Sequence, residues 1–266
     1  MTEVKYYQDR PLVSIITVHL NDEENLLKTI ESILTQDVEL YEHIIKDGGS
    51  RQDIERTTSP YRSPNLKVVI SKDNGIYDAM NQGLEEANGK YAYFLNAGDV
   101  FAGPKSLRVI ADAYERYGHV FLYCDYRNAL SREISHYSKR MTARFLLTNT
   151  ICHQAQFIPI DSGAKPHYDT SFRFLADKDL LVRLFCSGHN KNYFRKIDEC
   201  LIEYMDGGFS SGSVITDQIE RENFKIVRRN LGVVSYLVLS LVSILSLRNW
   251  RMQAARRRLE ILASKS

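Results

Sequence analysis

Residues 66–99 read LKVVISKDNGIYDAMNQGLEEANGKYAYFLNAGD, and this stretch decides the fold. It opens with a short β-branched run, 66–70, and closes with a second apolar run, 91–95. Between them, residues 76–88 place apolar side chains at helical spacing, and Gly89, a residue type that commonly ends helices, follows. The stretch therefore predicts a strand, a helix and a second strand, which together make one β-α-β unit.

The same alternation extends upstream. Residues 12–18 (LVSIITV) are apolar without alternation, which is typical of a strand buried on both faces of a parallel sheet. Helical spacing follows over residues 26–34, and residues 43–46 (HIIK) predict another short strand. Strands that alternate with helices in this way indicate an α/β protein with an open, mostly parallel sheet flanked by helices. Ligands of such sheets bind at the carboxyl ends of the strands.

The second half of the chain is less regular, and no repeat or low-complexity segment is present. We expect helices over residues 103–117 and 177–187, and strands over residues 120–126 and 153–159.

The composition excludes a disordered chain, because 44% of the 266 residues are hydrophobic and only 6 are Pro and 14 Gly. Charge is unevenly spread. Residues 225–266 hold nine Lys or Arg and one acid, a local charge of +8, so residues 1–224 carry −6 within the overall +2. The acidic body argues against a nucleic-acid partner, whereas the basic tail favours an anionic one. The four cysteines form no CxxC pair and the chain shows no signal-peptide core, so we expect a cytoplasmic protein with free thiols.

Polar clusters follow the predicted strands. In Asp47-Gly-Gly-Ser, the glycines permit close approach of a ligand and the carboxylate can accept hydrogen bonds from a base or ribose, although plain β-α turns share this composition. Asn96-Ala-Gly-Asp99 offers the oxygen ligands that a hard divalent cation prefers, with an Asx-capped turn as the alternative. The sequence has no GxxxxGKS/T motif and no GxGxxG after the first strand, which disfavours P-loop and dinucleotide-binding proteins.

Two further groups lie in the second half. Asp177 and Asp179 stand at the start of a predicted helix, where a carboxylate either caps the helix or acts as general base for a hydroxyl nucleophile. His153 and Gln154 either line an acceptor pocket or serve as structural hydrogen-bonding residues.

In combination these motifs carry a resemblance. The order VSIITVxxN, IIKDGGS, SKDNGIYDAMNQGLEEANGKYAYFLNAGD and ADKDL resembles the family 2 inverting glycosyltransferases of GT-A fold. It looks closest to the bacterial polysaccharide-biosynthesis branch that carries DNGIYDAMN and FLNAGD, and it covers about residues 10–210. The resemblance implies a hexosyltransferase that moves a sugar from a nucleotide-diphosphate donor, by family default a UDP-sugar, to an acceptor hydroxyl with inversion at the anomeric carbon. The acceptor would be a glycan, on a lipid carrier in the case of polysaccharide assembly.

The resemblance also implies domains and residue roles. A GT-A domain would span residues 1–224, with a donor half at about 10–102 and an acceptor half at about 103–224. Asp177 would be the catalytic base, and Asp99 would bind a divalent metal, Mn²⁺ or Mg²⁺. The residues implied to bind the nucleotide-sugar are Val18, Asn21, Asp47, Gly75, Asp78, Asn81 and Asn96.

Some alternatives stay open. Asn96 and Gly98 stand where acids are common in the family, which leaves Asp99 as the only carboxylate of the metal motif. Asp179 competes with Asp177 for the role of base. Two other functions are a catalytically inactive GT-A-like scaffold and a sugar nucleotidyltransferase. The absence of a glycine-rich basic loop after the first strand of this chain argues against the nucleotidyltransferase.

The tail predicts contact with a membrane surface. Residues 231–247 carry no charge, but these 17 residues fall short of the roughly 20 that a membrane-crossing helix needs. Basic residues on both sides favour a segment that lies in the cytoplasmic leaflet, with a buried core or oligomerisation helix as the alternative. We therefore expect residues 225–266 to attach the protein peripherally to the inner face of the cell membrane.

Overall fold

The computed structural model describes residues 10–160, 165–188, 192–205, 216–239 and 241. The strands in these residues, β1 to β9, are Val13–His19, Tyr41–Asp47, Leu66–Ile70, Tyr91–Phe94, Val100–Phe101, Phe121–Asn128, Ile134–Ser135, Gln156–Pro159 and Phe194–Tyr204. The helices, α1 to α7, are Glu23–Leu34, Ile54–Thr58, Ile76–Glu85, Ser106–Tyr117, Ala143–Thr148, Ala176–Cys186 and Thr216–Asn230. Short 3-10 turns occupy Val38–Leu40, Ser59–Tyr61 and His153–Ala155, and residues 232–239 form a helical run after α7.

The described strands join into one sheet with the order β3-β2-β1-β4-β8-β6-β9-β5, and β7 pairs with β6. The first four strands in this order run parallel. Beyond β4 the directions are mixed, because β8 is antiparallel to both of its neighbours whereas β6 and β9 run parallel. The predicted fold class, an open and mostly parallel sheet flanked by helices, is therefore confirmed.

The centre of the sheet is buried, as its apolar sequence predicts. Every residue of β1 and β4 is buried, whereas β3 at the edge of the sheet has only half-buried and exposed residues. Helix α3 packs closely on this centre. A Cβ at Gly83 would stand 2.5 Å from Cγ2 of Ile16, so only glycine allows the helix to approach β1 so nearly.

Some elements differ from the sequence-based expectation. The predicted strand 153–159 begins with a 3-10 turn, and only its second part, Gln156–Pro159, pairs as β8. Helix α3 ends at Glu85, before the expected residue 88, and α4 begins at Ser106 instead of residue 103. The apolar pattern does not predict β9, because charged residues interrupt it and its pairing with β6 shifts register midway.

Parallel pairing brings the carboxyl ends of four strands to one edge. His19, the last residue of β1, lies beside Asp47, the last residue of β2, which in turn lies beside Ile70 at the end of β3. The turn after β4, residues 96–99, joins the same edge because β4 pairs with the other side of β1. The polar clusters therefore meet at a single ligand edge.

Helix α7 contains the predicted division between residues 224 and 225, so the basic tail begins within a helix. The apolar segment 231–247 is described only in part, and residues 242–266 lie outside the described residues. In the part of the chain that the structure covers, no helix combines the length and apolarity that a membrane crossing requires. The division into donor half, acceptor half and tail stays a prediction.

Candidate active site

His19 and Asp47 form a buried pair at the ends of β1 and β2. Nδ1 of His19 lies 2.8 Å from Oδ2 of Asp47, and both side chains are almost completely buried. The backbone N–H of Asp22 donates to Nε2 of the same ring across 3.0 Å. Because Nε2 acts as an acceptor, the ring proton sits on Nδ1 and is donated to Asp47.

The carboxylate of Asp47 organises the turn that follows β2. Oδ1 accepts hydrogen bonds from the backbone N–H groups of Gly49 and Ser50, each across 2.8 Å, and Oδ2 accepts one from the Ser50 hydroxyl across 2.5 Å. Burial alone raises the pKa of Asp47, but the hydrogen bonds from Ser50, His19 and Gly49 outweigh it and hold the pKa below its ordinary value. Asp47 is thus a carboxylate whose hydrogen bonds shape the turn from within.

Asn21 closes the same turn from the β1 side. Its backbone N–H donates to Oγ of Ser50 across 2.8 Å, and its side-chain Oδ1 accepts from the backbone N–H of Arg51 across 2.9 Å. Its φ of 55° lies in the left-handed region, which asparagine tolerates better than most residues. With Val18 near the end of β1, the structure brings Val18, Asn21 and Asp47 together around the ends of β1 and β2.

Lys46, which lies in the motif IIKDGGS but has no predicted role, is completely buried under this edge. Its Nζ donates to the carbonyls of Asp47 and Ser71, across 2.8 and 2.7 Å, and to Oδ2 of Asp73 across 3.2 Å. It therefore ties the end of β2 to the segment after β3. A lysine at the end of the otherwise apolar run HIIK is the sequence signal that could have revealed it.

The predicted donor residues near α3 have different surroundings. Gly75 precedes the helix with a φ of 120°, a conformation that L side chains rarely adopt. Asp78 accepts from the backbone N–H of Asn74 across 2.8 Å and so fixes the turn into the helix. Asn81 is buried, and its amide exchanges hydrogen bonds with the backbone of Tyr168 across 2.9 and 2.8 Å. Asn81 therefore fastens the second half of the chain to α3 and is not part of the cluster around Asp47.

Asp99 is buried where the turn after β4 meets the second half of the chain. Its Oδ2 accepts from Nε2 of Gln154, and its Oδ1 accepts from the backbone N–H of Met205, each across 3.0 Å. Burial raises the pKa of Asp99 to about 6, and the hydrogen bonds from Met205 and Gln154 and the nearby His153 offset part of the rise. At neutral pH the carboxylate is charged in a buried position, where a neighbouring cation would stabilise it.

Asn96 offers a second oxygen beside Asp99. Its Nδ2 lies 2.7 Å from Nε2 of His153, and its Oδ1 is buried without a hydrogen-bond partner. An unpartnered buried oxygen in the same turn as a buried carboxylate fits Mn²⁺ or Mg²⁺, which prefer oxygen ligands. No group of three or more His, Cys, Asp or Glu among the described residues could hold a metal ion. A cation held by Asn96 and Asp99 would therefore take its other ligands from water and from phosphate oxygens.

Asp177 lies in the first turn of α6 and is connected to Asn96 through His153. Its Oδ2 stands 3.8 Å from Nδ1 of His153, the ring whose Nε2 contacts Asn96. Its Oδ1 accepts from the backbone N–H of Lys178 across 2.7 Å and stands 3.4 Å from the hydroxyl of Tyr77. One imidazole thus bridges the predicted metal turn and the predicted base.

Asp179, the competitor for the role of base, is engaged elsewhere. It is completely buried, its Oδ2 accepts from Nε of Arg183 across 2.8 Å, and its Oδ1 accepts from Nδ2 of Asn230 on α7 across 3.1 Å. Asp179 therefore locks α6 to α7, and the geometry favours Asp177 as the carboxylate that meets a substrate.

His153 and Gln154 connect the predicted site residues of the two halves. Gln154 contacts Asp99, while His153 contacts Asn96 and faces Asp177. Their contact with an acceptor stays a prediction.

Comparison with known proteins gives consistent matches. The glycosyl transferase family 2 model matches residues 14–202. A PGL/p-HBAD biosynthesis glycosyltransferase of Mycobacterium bovis is 31% identical over an alignment of 187 residues, and the match covers 66% of this chain and 70% of that protein. The structure of S. aureus TarS 1–349 in complex with UDP-GlcNAc has a TM-score of 0.62 at 16% identity and covers 83% of this chain and 71% of its own. The mannosyltransferase PcManGT from Pyrobaculum calidifontis, in complex with GDP-Man and Mn²⁺, has a TM-score of 0.53 at 14% identity. The match covers 93% of this chain and 85% of the mannosyltransferase chain.

The two solved structures share the fold of this chain. The family match begins in β1 and ends in β9, so it contains the ligand edge and all the predicted site residues from Val18 to Asp177. The mycobacterial relative is itself named a glycosyltransferase. This chain is a glycosyltransferase and belongs to glycosyl transferase family 2.

Proposed function

We propose that the protein transfers a hexose from a UDP-sugar to an acceptor hydroxyl with inversion at the anomeric carbon. The acceptor oxygen attacks the anomeric carbon, the bond from that carbon to the diphosphate breaks, and the hydroxyl proton passes to a base. The observation that carries the proposal is the position of Asp177, which lies at the same edge as Asn96 and Asp99 and is connected to them through His153 and Gln154.

Asp177 is the carboxylate best suited to take the proton. The N–H of Lys178 fixes Oδ1, whereas Oδ2 stands 3.8 Å from His153, farther than a hydrogen bond. Asp179, by contrast, has each of its oxygens in a hydrogen bond to another side chain. A single displacement needs one such base behind the acceptor, and general base catalysis typically contributes about 10²–10⁴-fold.

The donor would lie along the ends of β1, β2 and β4. In this arrangement the Asp47 turn and Asn21 form the nucleoside side, and Asn96 and Asp99 hold a divalent cation, Mn²⁺ or Mg²⁺. The cation supplies stabilisation of the charge that develops on the leaving diphosphate. The Mn²⁺ in the mannosyltransferase complex supports this cofactor, and the UDP-GlcNAc in the TarS complex supports a UDP-sugar as donor.

We place the acceptor on a lipid-linked glycan at the inner face of a bacterial membrane, within polysaccharide biosynthesis. Residues 232–239 and 241 expose apolar side chains, namely Val233, Val234, Leu237, Val238 and Leu241. Beside them, Lys225, Arg228 and Arg229 line a groove with Phe224 and Tyr236. Basic groups next to an exposed apolar face suit the headgroups and acyl boundary of an anionic leaflet.

The rival functions fit the site less well. A nucleotidyltransferase would need a basic, glycine-rich loop after β1, where this chain has Leu20-Asn-Asp-Glu-Glu. A scaffold would gain nothing from a carboxylate that is buried beside an unpartnered oxygen, as Asp99 is beside Asn96, because a buried charge costs stability.

Incubation of the full-length chain with UDP-sugars and GDP-sugars, Mn²⁺ or Mg²⁺ and lipid-linked acceptors tests the proposal. Transfer or hydrolysis with release of UDP is the expected result. Pyrophosphate-dependent synthesis of a nucleotide-sugar would identify a nucleotidyltransferase instead, and no reaction with any donor would favour the scaffold.

A further inference from the structure

We infer that Glu222 of α7 is a positioning residue that holds the base-bearing end of α6 in place for sugar transfer. The inference rests on the proposed function in one respect, namely that Asp177 acts as the base.

The carboxylate of Glu222 accepts hydrogen bonds from three consecutive backbone N–H groups. Oε1 accepts from Arg173, and Oε2 accepts from Phe174 and Leu175, each across 3.0 Å. Glu222 is buried, and Nε2 of Gln218, one turn earlier on α7, lies 3.3 Å from Oε1. All the distances are those of ordinary hydrogen bonds or slightly longer.

These three N–H groups lie immediately before α6. The N-cap residue of α6, Leu175, makes no side-chain cap, so the amides before the helix depend on a partner from elsewhere. A carboxylate accepts and never donates, and it is favoured at the positive end of a helix, so it suits three adjacent donors. The chain supplies it from a residue 47 positions beyond Leu175.

The held segment leads directly to the base. The N–H of Phe174 donates to Glu222, and its carbonyl accepts from the Tyr77 hydroxyl across 2.7 Å. The same hydroxyl stands 3.4 Å from Oδ1 of Asp177 in the next turn. A shift of the backbone at Phe174 would therefore displace Asp177 relative to α3 and the ligand edge. Small displacements of reacting groups reduce the reaction rate by large factors.

Other side chains of α7 contact residues on either side of the segment 173–175. These contacts join Lys225 to Ser171, Arg229 to Asp169 and Asn230 to Asp179. Glu222 differs from these three in that it binds the backbone immediately before α6, so its loss would act on the start of the helix itself.

The test compares Glu222→Gln with Glu220→Gln, a matched change at an exposed position of the same helix. We expect Glu222→Gln to lower kcat about 10- to 100-fold, since a neutral amide cannot accept from all three N–H groups. The KM for the nucleotide-sugar that the wild type uses as donor, and the Kd for UDP with Mn²⁺, should change less than twofold. Hydrogen exchange at the amides of residues 173–175 should accelerate at least about tenfold. Glu220→Gln should leave all four quantities unchanged.

Two further variants separate positioning from general stability. Glu222→Asp keeps the charge and should restore part of kcat, even if Glu222→Gln lowers the melting temperature. In an Asp177→Asn background, Glu222→Gln should lower kcat less than twofold further, because it acts through Asp177. Normal kcat in Glu222→Gln, or a parallel loss of kcat and UDP affinity, would overturn the inference while leaving an active wild type and the proposed function intact. A wild type that transfers no sugar from any donor would overturn the proposed function itself.

Discussion

The side-chain amide of Gln154 donates a hydrogen bond to the carboxylate of Asp99 across 3.0 Å. The two residues are 55 positions apart, one in the turn after β4 and the other before β8, and both are buried. With the neighbouring contact between His153 and Asn96, this bond joins the predicted metal turn and the predicted acceptor side into one assembly. A change on either side should therefore affect the other.

Replacing Asp99 with Asn should stabilise the folded chain at neutral pH in the absence of metal. Burial raises the pKa of Asp99 to about 6, from the ordinary value of 3.8 that applies to the unfolded chain. The folded state therefore holds this proton more tightly, and stability is lost as the pH rises from about 4 to about 6, by on the order of 2–3 kcal/mol. Urea unfolding of the wild type and Asp99→Asn from pH 4.5 to 8 should show the variant gaining stability relative to the wild type. A constant difference in unfolding free energy between the two proteins over that pH range would contradict a raised pKa of Asp99 in the folded state.

Replacing Asp177 with Asn should reduce turnover by about 10²–10⁴-fold and leave nucleotide affinity nearly unchanged. Nucleotide affinity should not change because the base acts on the acceptor, and because the neutral amide of asparagine has the same shape as the carboxylate of Asp177. Steady-state kinetics together with titration of UDP and Mn²⁺ measures both quantities. Normal turnover in Asp177→Asn would move the role of base to another residue.

Asp179→Asn is the matched control for that experiment. It weakens the hydrogen bond from the Arg183 guanidinium, so we expect it to cost about 1.5–3 kcal/mol of folding free energy. Turnover per folded molecule should remain within a few-fold of the wild type, in contrast to Asp177→Asn.

Replacing His19 with Leu should weaken UDP binding about tenfold. The change replaces the imidazole with an apolar side chain of similar size and removes the N–H that His19 donates to Asp47, so the turn between Asp47 and Ser50 loses one of its supports. A tenfold change corresponds to about 1.4 kcal/mol, the worth of one hydrogen bond to a charged group. Calorimetric titration of UDP in the presence of Mn²⁺ measures the effect.

His43→Leu is the control for His19→Leu. His43 is a buried residue of β2, and its Nε2 lies 2.9 Å from the hydroxyl of Thr17 on β1, but it makes no hydrogen bond to the Asp47 carboxylate. It should change stability and leave UDP affinity within twofold. Equal losses of affinity in the two variants would argue against a specific role for His19.

Introducing a charge at Val234 and Leu237 should release the protein from anionic vesicles. Both side chains are exposed on the helical run after α7, so Val234→Asp with Leu237→Asp removes apolar contact and adds repulsion without disturbing the core. Co-sedimentation with vesicles that contain phosphatidylserine measures binding. Leu130 is another exposed apolar residue, distant in sequence from Val234 and Leu237. Leu130→Asp should therefore bind the vesicles as the wild type does. Full binding by the double variant would contradict the proposed membrane surface.

The fold of the first half of the chain follows from the sequence because its signals are local. Strands β1 and β4 are buried on both faces and so appear as continuous apolar runs, and each ends in a polar cluster whose position the parallel pairing then fixes. Asp47 and Asp99 could therefore be placed at one edge before any coordinates were known. Their partners could not, because His19 and Gln154 reach them across 28 and 55 residues of chain.

The second half is harder to predict for a related reason. Strand β9 mixes charged and apolar residues, and α7 shows no feature that connects it with a site. Glu222 becomes informative only when folding brings it to the backbone before α6. Asp179 and Asp177 are equivalent in the sequence, and only the contacts of Asp179 with Arg183 and Asn230 distinguish them.

Calorimetric titration of the full-length wild type and Asp99→Ala with UDP, in Mn²⁺ and in EDTA, tests whether Asp99 holds a cation that binds the nucleotide. We expect UDP to bind the wild type in Mn²⁺, and binding to weaken at least about tenfold in EDTA and in Asp99→Ala alike. UDP binding of equal strength in all of these conditions, or no binding of UDP by the wild type at all, would contradict it.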